Sequence, residues 1–595
     1  MNPSPLLQGG AFIIKSSEAS GTFIREDLSE DAHAFADMVN EFILKKVKPN
    51  IIKIDKGAHE IVVSLLEELG ELGVLSAALP EEYGGMSIDF GTETIINEEL
   101  GRSSSFSVAV AAHTGIGTLP ILYFGTEAQK NKYLPGLGSG QLKASYCLTE
   151  PWSGSDALGA RTKAVLSPDG KYYIINGQKM WITNAGFADV FIVFAQIDGT
   201  EFTGFIIDKG TPGLSLGAEE DKMGIKGSST RQVFFENVSI PITNVLGEIG
   251  KGHKIAFNVL NIGRYKLSVQ ANGASKDSLL NAIIYAKERH QFKVSISTFG
   301  AIKHKLGEMA IKIWITDAAN YRVSGLMQDM IEELVATGKT KPEAKLIAAE
   351  EYNIECALLK VLGSETLDYV VDETVQIYGG MGFSEEAPAA RAYRDSRINR
   401  IFEGTNEINR LLSVGALLKK ALKGELDIMK PALAVQRELL SIPSFSSEEY
   451  GLFDQEKKSI ENAKKAILMV AGAAVQQYKD KLDQEQEIIM CIADMLIETF
   501  AAESGILRAE KMVEKFGEEK SIYAIEISKS YLSDALEKIN ISGKHALAAF
   551  AAGDALNMMM LGMKRFTKYP LRNNIISRRL LSDKMVEEEK YCFDL

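Results

Sequence analysis

The spacing of hydrophobic and polar positions divides the chain into helical and β-prone segments. Up to about residue 145 the apolar residues recur with helical spacing, as for Leu65, Leu66 and Leu69 on one predicted helix face. The texture then changes to short β-prone runs, at 162–165, 172–175, 190–195, 204–207 and 233–235. From about residue 251 the helical period returns, with long amphipathic stretches at 255–289, 303–337, 342–372 and 407–422.

We therefore expect a mainly α-helical protein with a small central antiparallel β domain. Turn pairs D-G, N-G and D-G, beginning at Asp169, Asn176 and Asp198, separate the short strands. Four long helices with short connections predict a bundle. The predicted segments are a loosely ordered arm (1–30), an N-terminal helical domain (31–145), the β domain (146–250), a four-helix bundle (251–424), a linker (425–454) and a C-terminal helical domain (455–595).

Composition excludes several classes of protein. A net charge of −13 argues against a nucleic-acid binder, which would present a basic face. The four cysteines have no paired or metal-ligand spacing, and the seven histidines form no HExxH-like cluster, so we expect reduced thiols and no metal. The N-terminus lacks the features of a secretory or transit signal, and no apolar run is interpreted as a membrane span. We expect a cytoplasmic, bacterial protein.

The stretch 400–410, R-I-F-E-G-T-N-E-I-N-R, contains the strongest candidate for acid–base chemistry. Glu403 lies between an aromatic residue and a glycine, where a sharp turn can hold a carboxylate in an apolar pocket. Desolvation there would raise the pKa of the carboxylate and make it a usable base near neutral pH. Taken alone, E-G-T is more often a solvated residue at a helix start, and the neighbouring motifs change that interpretation.

Three further motifs carry residues suited to a flat or phosphorylated ligand. The segment 145–156, S-Y-C-L-T-E-P-W-S-G-S-D, combines hydroxyl side chains with a glycine that lets the backbone approach a ligand. The segment 179–184, K-M-W-I-T-N, places a tryptophan near a hydroxyl, and 376–383, Q-I-Y-G-G-M-G-F, is a glycine-rich turn. Each motif alone is more often structural, but coincidence explains poorly why they occur together in this order.

In this order the motifs resemble those of the acyl-CoA dehydrogenases over about residues 30–415. The matching motifs are C-L-T-E-P-W-S-G-S-D, W-I-T-N, G-R at Gly263-Arg264, E-R-x-Q-F at 288–292, Q-I-Y-G-G-M-G-F and I-F-E-G-T-N-E. The additional C-terminal helical region is similar to the extension of the very-long-chain branch. The resemblance implies FAD as the cofactor and α,β-dehydrogenation of a fatty acyl-CoA to a trans-2-enoyl-CoA as the reaction.

The resemblance also implies roles for residues around the cofactor. The flavin is expected to be lined by Tyr146, Leu148, Thr149, Ser155, Trp181, Ile182 and Thr183. Arg289 is expected to contact the FAD pyrophosphate of a neighbouring subunit. The adenosine end is expected to be held by Gln376, Gly379, Gly380, Thr405, Asn406 and Glu407. Gly300 stands where many medium-chain relatives have a glutamine, a departure that affects this one FAD contact rather than the cofactor.

For the substrate, the resemblance implies that Glu403 removes the acyl α-proton while the β-hydride passes to flavin N5. The thioester carbonyl would accept hydrogen bonds from the Glu403 backbone N–H and a flavin ribityl hydroxyl, which stabilise the developing enolate. The residues expected at the acyl-CoA are Ser155, Asn261, Gly263, Arg264, Gly404 and Ala112.

Small residues on the predicted helix at 106–118 bear on the acyl chain length. Val108 and Ala112 fall where the medium-chain branch has polar residues that close the acyl tunnel. A longer apolar channel would gain ~0.8 kcal/mol for each further buried CH₂, so long chains are expected to be preferred. The alternative is that these small residues only permit close helix packing.

The partners that the resemblance implies are an acyl-CoA substrate, an electron-transfer flavoprotein and a second copy of the chain in a homodimer. Two alternatives remain open at the sequence level. One is an acyl-CoA oxidase that passes electrons to oxygen, and the other is a flavin-bound scaffold with little catalysis. The Met-rich run at 556–563 is more simply a core helix, with peripheral membrane contact as the second interpretation.

Overall fold

The N-terminal domain of the computed structural model is helical, as predicted; residues 6–439 and 451–594 are described. Side-chain caps fix several helix starts, since Ser29, Asp89 and Thr126 each accept a hydrogen bond from a first-turn N–H. The helices are α1 (Glu30–Phe42), α2 (Ile51–Asp55), α3 (His59–Glu71), α4 (Phe90–Gly101), α5 (Ser105–Ala111), α6 (Leu119–Phe124) and α7 (Glu127–Gly138).

The central domain is one eight-stranded sheet with the order β6-β7-β3-β2-β4-β5-β8, in which β1 also pairs with β4. Its strands are β1 (Ala144–Cys147), β2 (Lys163–Leu166), β3 (Tyr172–Thr183), β4 (Val190–Ile197), β5 (Glu201–Asp208), β6 (Leu214–Glu219), β7 (Thr230–Pro241) and β8 (Val245–Leu246). The prediction of a purely antiparallel domain is wrong, because β4 runs parallel to both β1 and β2. β3 pairs with one edge of β2 and β4 returns along the other, which makes β4 parallel to β2.

One predicted turn lies inside a strand. The N-G pair at Asn176 and Gly177 falls within β3, at a bulge where the register with β7 shifts. A Cβ at Gly177 would stand 2.6 Å from Thr162 Oγ1, so the glycine serves close strand packing rather than a hairpin turn.

The bundle domain is built from α8 (Gly252–Glu288), α9 (Gly300–Ala336), α10 (Lys341–Glu351), α11 (Asn353–Tyr378), α12 (Pro388–Ser396) and α13 (Asn406–Leu422). A short hairpin, β9 (His290–Gln291) with β10 (Val294–Ser295), links α8 to α9. The stretch predicted as one helix over 342–372 is broken at Tyr352, between α10 and α11. Long helices α8, α9, α11 and α13 form the bundle, and α8 lies between α11 and the N-terminal helix α4.

The described part of the C-terminal region is mainly helical from residue 429 onward. Its helices are α14 (Met429–Leu439), α15 (Asp454–Tyr478), α16 (Gln486–Phe516), α17 (Ile522–Phe550), α18 (Gly553–Phe566) and α19 (Asn574–Glu588). The prediction of a linker over 425–454 is wrong for α14, whose Val435 is buried and which packs on α15. The Pro/Ser-rich run at 443–447 lies outside the described residues.

The N-terminal arm is packed rather than loosely ordered, which contradicts the prediction for its described part. Phe12 and Ile24 are fully buried, and the Phe12 ring lies edge-on to Phe500 of α16 at 5.0 Å between centroids. The Gly10 N–H donates to Glu355 Oε1 on α11 at 2.6 Å. The arm therefore contacts both the bundle and the C-terminal domain, which holds it in place without long helices of its own.

One stretch, Ser105–Phe124, is longer and more apolar than the sequence interpretation recognised, since its length and composition would suffice to cross a membrane. However, 78% of its most apolar window is buried inside the protein. Core helices of globular domains share this composition, and here the stretch forms α5, the following turn and α6 beneath the candidate site.

Candidate active site

Glu403 lies in a strained turn immediately before α13. Its φ is +59°, uncommon for a residue with a side chain, and Gly404 follows at +80°. The Asn409 amide donates to three successive carbonyls, those of Glu403, Gly404 and Thr405, at 3.3, 2.9 and 3.0 Å. Arg264 Nε donates to the Glu403 carbonyl from α8 at 3.2 Å. These bonds from two helices offset the strain and fix the direction of the Glu403 side chain.

A fully buried lysine supports the same turn from below. Lys360 Nζ on α11 donates to the Gly404 carbonyl at 2.7 Å and to Asn406 Oδ1 at 2.8 Å. The Asn406 amide in turn donates to Ser364 Oγ at 3.0 Å and Glu365 Oε1 at 3.0 Å. The side chain of Asn406 is thus engaged by the protein itself, which leaves its backbone for the cofactor role that the sequence predicted.

Sequence reasoning missed Lys360 and Asn409. The signal for Lys360 was present, because a lysine inside the apolar run A-L-L-K-V-L must either reach solvent or find buried acceptors. Asn409 carried no comparable signal, since its three acceptors are carbonyls created by the turn itself.

The Glu403 carboxylate is held with few partners. Its Oε2 is buried with no hydrogen-bond partner among the described residues. Burial raises the pKa of Glu403 to about 7, although the positive charges of Arg264 and Lys360 lower it. A Cβ at Gly263 would stand 2.8 Å from Glu403 Oε2, so glycine at this position leaves room for the carboxylate. The arrangement suits a proton acceptor near neutral pH.

A cavity of about 150 Å³ opens at Glu403 and brings together four predicted residues: Ala112, Thr183, Gly263 and Glu403. Val108 lines it as well, as the chain-length argument required. The cavity wall on α8 extends from Gly263 to Ser278, fifteen residues, or roughly 22 Å at the helical rise. Asn261 and Arg264, two other predicted substrate residues on α8, do not line the cavity. They contact each other, since Arg264 Nη1 donates to Asn261 Oδ1 at 2.7 Å.

The two β-domain motifs are joined at the mouth of the cavity. A fully buried ion pair at 2.7 Å connects Lys179 with Glu150, and the Met180 N–H donates to the Thr149 carbonyl at 2.9 Å. Trp181 follows with φ +58° and an indole that is 59% exposed. Ile182 alternates to the other side of β3, where its side chain belongs to the β-domain core rather than to the cavity.

Tyr146 contributes an unsatisfied group to the same place. Its hydroxyl is buried without a hydrogen-bond partner among the described residues. Burial and then the nearby Glu403 carboxylate raise the pKa of Tyr146 well above its usual range. Of the remaining predicted flavin contacts, Leu148 and Thr149 are half-buried and Ser155 is exposed. An orphaned hydroxyl near Glu403 and an exposed indole on β3 are features that a planar, hydrogen-bonding ligand could cover.

A second group of predicted residues lies at the opposite end of the bundle. Arg289, Gln376, Gly379 and Gly380 are all exposed there. The Tyr285 and Tyr378 rings stack at 4.0 Å and place the ends of α8 and α11 side by side. Since α8 ends at Glu288, about 25 residues and roughly 38 Å of helix separate this group from Gly263. Within one chain, the structure therefore does not bring these residues to the Glu403 cavity.

No group of three or more His, Cys, Asp or Glu side chains within residues 6–439 and 451–594 is arranged to hold a metal ion.

The sequence and the fold match one family along most of the chain. Models described as acyl-CoA dehydrogenase N-terminal, middle and C-terminal domains match residues 29–141, 145–238 and 250–418, and a further acyl-CoA dehydrogenase C-terminal domain matches 462–565. A probable acyl-CoA dehydrogenase of Bacillus subtilis (strain 168) is 45% identical over 98% of both chains. The human mitochondrial very long-chain specific acyl-CoA dehydrogenase is 38% identical, over 66% of this chain and 61% of its own.

The crystal structure of an acyl-CoA dehydrogenase complexed with FAD from Bacillus anthracis superimposes with a TM-score of 0.96. It is 44% identical, and the match covers 98% of this chain and 100% of that one. The chain belongs to the acyl-CoA dehydrogenase family, whose members use FAD. The fold that the sequence predicted, a helical domain, a β domain, a four-helix bundle and added C-terminal helices, is confirmed.

Proposed function

We propose that this protein is an FAD-dependent dehydrogenase of long-chain fatty acyl-CoA that forms the trans-2-enoyl-CoA in β-oxidation. One observation carries the proposal: a carboxylate with a free, enclosed oxygen and a pKa near 7 stands at the head of a long cavity. Proton removal next to a thioester needs such a base, held away from water.

The residues at the cavity mouth fit the flavin. The orphaned Tyr146 hydroxyl and the exposed Trp181 indole would be covered by the ring system, with Thr183 at its edge. When bound, FAD supplies the acceptor for the hydride that leaves the acyl β-carbon. The protein supplies orientation and exclusion of water.

In this mechanism Glu403 takes the acyl α-proton on its unpartnered carboxylate. The Glu403 backbone N–H donates to no acceptor among the described residues, which leaves it available for the thioester carbonyl. Such a donor stabilises negative charge that develops on the carbonyl oxygen. Arg264, Lys360 and Asn409 act through the turn, because they bond its carbonyls and hold both the carboxylate and the N–H in place.

The length of the cavity supports long acyl chains. Its wall on α8 spans roughly 22 Å beyond the level of Glu403. Val108 and Ala112 face it with small side chains. Each additional buried CH₂ adds ~0.8 kcal/mol of binding until the cavity ends.

We further propose a homodimer. Within one chain the outer group lies about 38 Å along α8 from Gly263 at the Glu403 cavity, so a single cofactor can meet both ends only across two copies. Phe292 and Phe383, each 89% exposed, flank the outer group and would be covered in such a pair. Light scattering that returned a monomer or a tetramer would overturn this assignment.

An electron-transfer flavoprotein is the proposed electron acceptor, with oxygen as the alternative. Turnover with that flavoprotein, compared with turnover in dissolved oxygen alone, separates a dehydrogenase from an oxidase. A catalytically inert scaffold would show neither activity, and an acyl-CoA would not bleach its flavin under anaerobic conditions.

The proposal is tested with Glu403→Gln, which keeps the size of the side chain but removes the base. We expect it to retain FAD and to bind acyl-CoA, while the rate of flavin reduction falls between about 10²- and 10⁴-fold. Glu425→Gln, at an exposed glutamate after α13, is the matched control and should reduce its flavin normally. Near-normal reduction in Glu403→Gln would show that Glu403 is a structural residue.

A further inference from the structure

A second cavity of about 30 Å³ lies behind the wall of the acyl cavity. It is enclosed mainly by apolar side chains of α4, α5, the start of α6 and the segment before α4: Val74, Leu75, Ile96, Leu100, Val110 and Leu119. Lys266 lines both this cavity and the one that begins at Glu403. A lysine in such a place needs an explanation, because its side chain is buried.

The ammonium group of Lys266 is anchored on the far side. Its Nζ pairs with Glu93 Oε1 at 2.7 Å, and Lys345 Nζ pairs with Glu93 Oε2 at 3.1 Å. All three side chains are at most 10% exposed. Glu93 lines the smaller cavity but not the larger one, so the alkyl stem of Lys266 must pass from α8 between the two.

The position of this stem along the acyl cavity is defined by its neighbours. Lys266 lies three residues beyond Gly263 on α8, roughly 5 Å from the level of the Glu403 carboxylate. On the opposite wall Ala111 and Ala112 face the acyl cavity, whereas Val110 faces the smaller one. Among the described residues, Lys266 is the one that lines both cavities.

We propose that Lys266 is a specificity-determining residue that keeps the acyl cavity unbranched, so that straight acyl chains are favoured over chains bearing a ring or branch at this depth. This inference rests on the proposed function. The ion pair with Glu93 holds the four-carbon stem extended across the gap, which a free apolar side chain of equal length would fill less rigidly.

Lys266→Ala tests the proposal, because it joins the two cavities and leaves Glu93 paired with Lys345. The probes are a ladder of ω-phenylalkanoyl-CoA thioesters of increasing length and straight-chain thioesters of equal carbon count. For each length we take the ratio of kcat/KM for the phenyl-bearing thioester to kcat/KM for the straight-chain thioester. In Lys266→Ala we expect this ratio to be about tenfold or more above that of the wild type at the length that puts the ring beside residue 266. The rise should appear mainly in KM and should be absent for shorter members.

Lys345→Ala is the matched control, since it removes the other ammonium from Glu93 but lines neither cavity. It should keep the wild-type ratio. Lys266→Met, which retains the length of the stem but loses the ion pair with Glu93, should raise the ratio less than Lys266→Ala does. An unchanged ratio in folded, FAD-loaded Lys266→Ala would overturn the inference, as would an equal rise in Lys345→Ala. If Lys266→Ala does not fold, Lys266→Val applies the same test. Wild-type protein that oxidises no straight-chain acyl-CoA would instead refute the proposed function.

Discussion

The raised pKa of Glu403 follows from the small number of hydrogen-bond partners around its carboxylate. Its Oε2 is enclosed but bonded to nothing in the described chain, so burial disfavours the charged form. Arg264 and Lys360 oppose this, yet their hydrogen bonds go to turn carbonyls and to the side-chain oxygens of Asn261 and Asn406, respectively, rather than to the carboxylate. The outcome is a pKa near 7 instead of the ordinary 4.5.

This pKa gives a prediction for the pH dependence. Only the ionised carboxylate accepts a proton, so kcat/KM should rise about tenfold per pH unit below pH 7 and level off above it. The contribution of Glu403 to the free energy of unfolding changes with pH in the opposite direction to the activity.

Because the pKa of Glu403 is raised in the folded protein, this group stabilises the fold most below its unfolded pKa of about 4.5, and the contribution is lost as pH rises through 7.

The measurement is the second-order rate constant of anaerobic flavin reduction, taken at subsaturating acyl-CoA as a function of pH, because this constant reports the pKa of the free enzyme as kcat/KM does. A non-ionising thioether analogue that binds but cannot react serves as the control, since its affinity reports other titrations. A reduction rate that stayed flat between about pH 6 and 8 would contradict the assigned pKa.

The sequence predicted Glu403 but not the residues that hold it. The base lies inside one contiguous motif, and its aromatic and glycine neighbours already suggest burial. Lys360 acts across 44 positions, and its partners exist only once α11 and the turn have met. Gly263 was predicted at the substrate on resemblance, and the structure adds that a Cβ there would stand 2.8 Å from the carboxylate.

Among the elements, α5 and α8 decide what the cavity accepts. Small residues face it from both sides: Val108 of α5 and Ala112 directly after α5 on one side, and Gly263 and Ala271 of α8 on the other. Close packing alone would leave no space between them, whereas a cavity of about 150 Å³ is present. The interpretation of these residues as tunnel lining is therefore favoured over simple helix packing.

Ala112→Glu should shorten this cavity. The new carboxylate would enter the acyl cavity, where an apolar chain cannot satisfy it, and burying it there is costly. We expect long-chain turnover to fall at least tenfold while short and medium acyl-CoA are oxidised normally, as measured by kcat/KM across a chain-length panel. Ala112→Ser, nearly equal in volume to alanine, is the control. An equal loss at every length would indicate misfolding instead.

Secondary-structure elements were predicted best where the spacing of apolar residues kept one period over many residues. The long bundle helices follow their apolar spacing, although Tyr352 breaks one of them. The β domain was recognised from its turns. The direction of each strand, however, depends on which edge of the sheet it joins. The parallel pairing of β4 with β2 therefore has no signal in the local sequence. α14 was missed because a short amphipathic helix beside a Pro/Ser-rich run resembles a linker.

At the scale of the whole molecule, a buried charge network joins distant parts of the chain. Arg508 on α16 is fully buried and pairs with Glu26 of the N-terminal arm at 2.5 Å, Asp317 of α9 at 2.9 Å and Asp594 of the C-terminal tail at 3.1 Å. Its guanidinium also lies 4.5 Å from the Trp314 ring centroid. The arm, the bundle, the C-terminal domain and the tail therefore meet at one cation, which no local sequence pattern could show.

Replacement of this cation gives the last prediction. Arg508→Met preserves much of the side-chain volume but leaves three buried carboxylates with one fewer partner, and breaking such a set typically costs roughly 3–5 kcal/mol. Because the chain has several domains, we expect the loss as earlier local opening rather than one shifted transition. Hydrogen exchange should increase in the arm, in α16 and near Asp594, while the β domain stays protected. Lys584→Met, which removes an exposed pair with Glu588, is the control and should change none of these regions. Two outcomes would show that the network does not hold the two ends of the chain against the bundle. One is an increase in hydrogen exchange that is equal in all regions of Arg508→Met, and the other is no increase in any region.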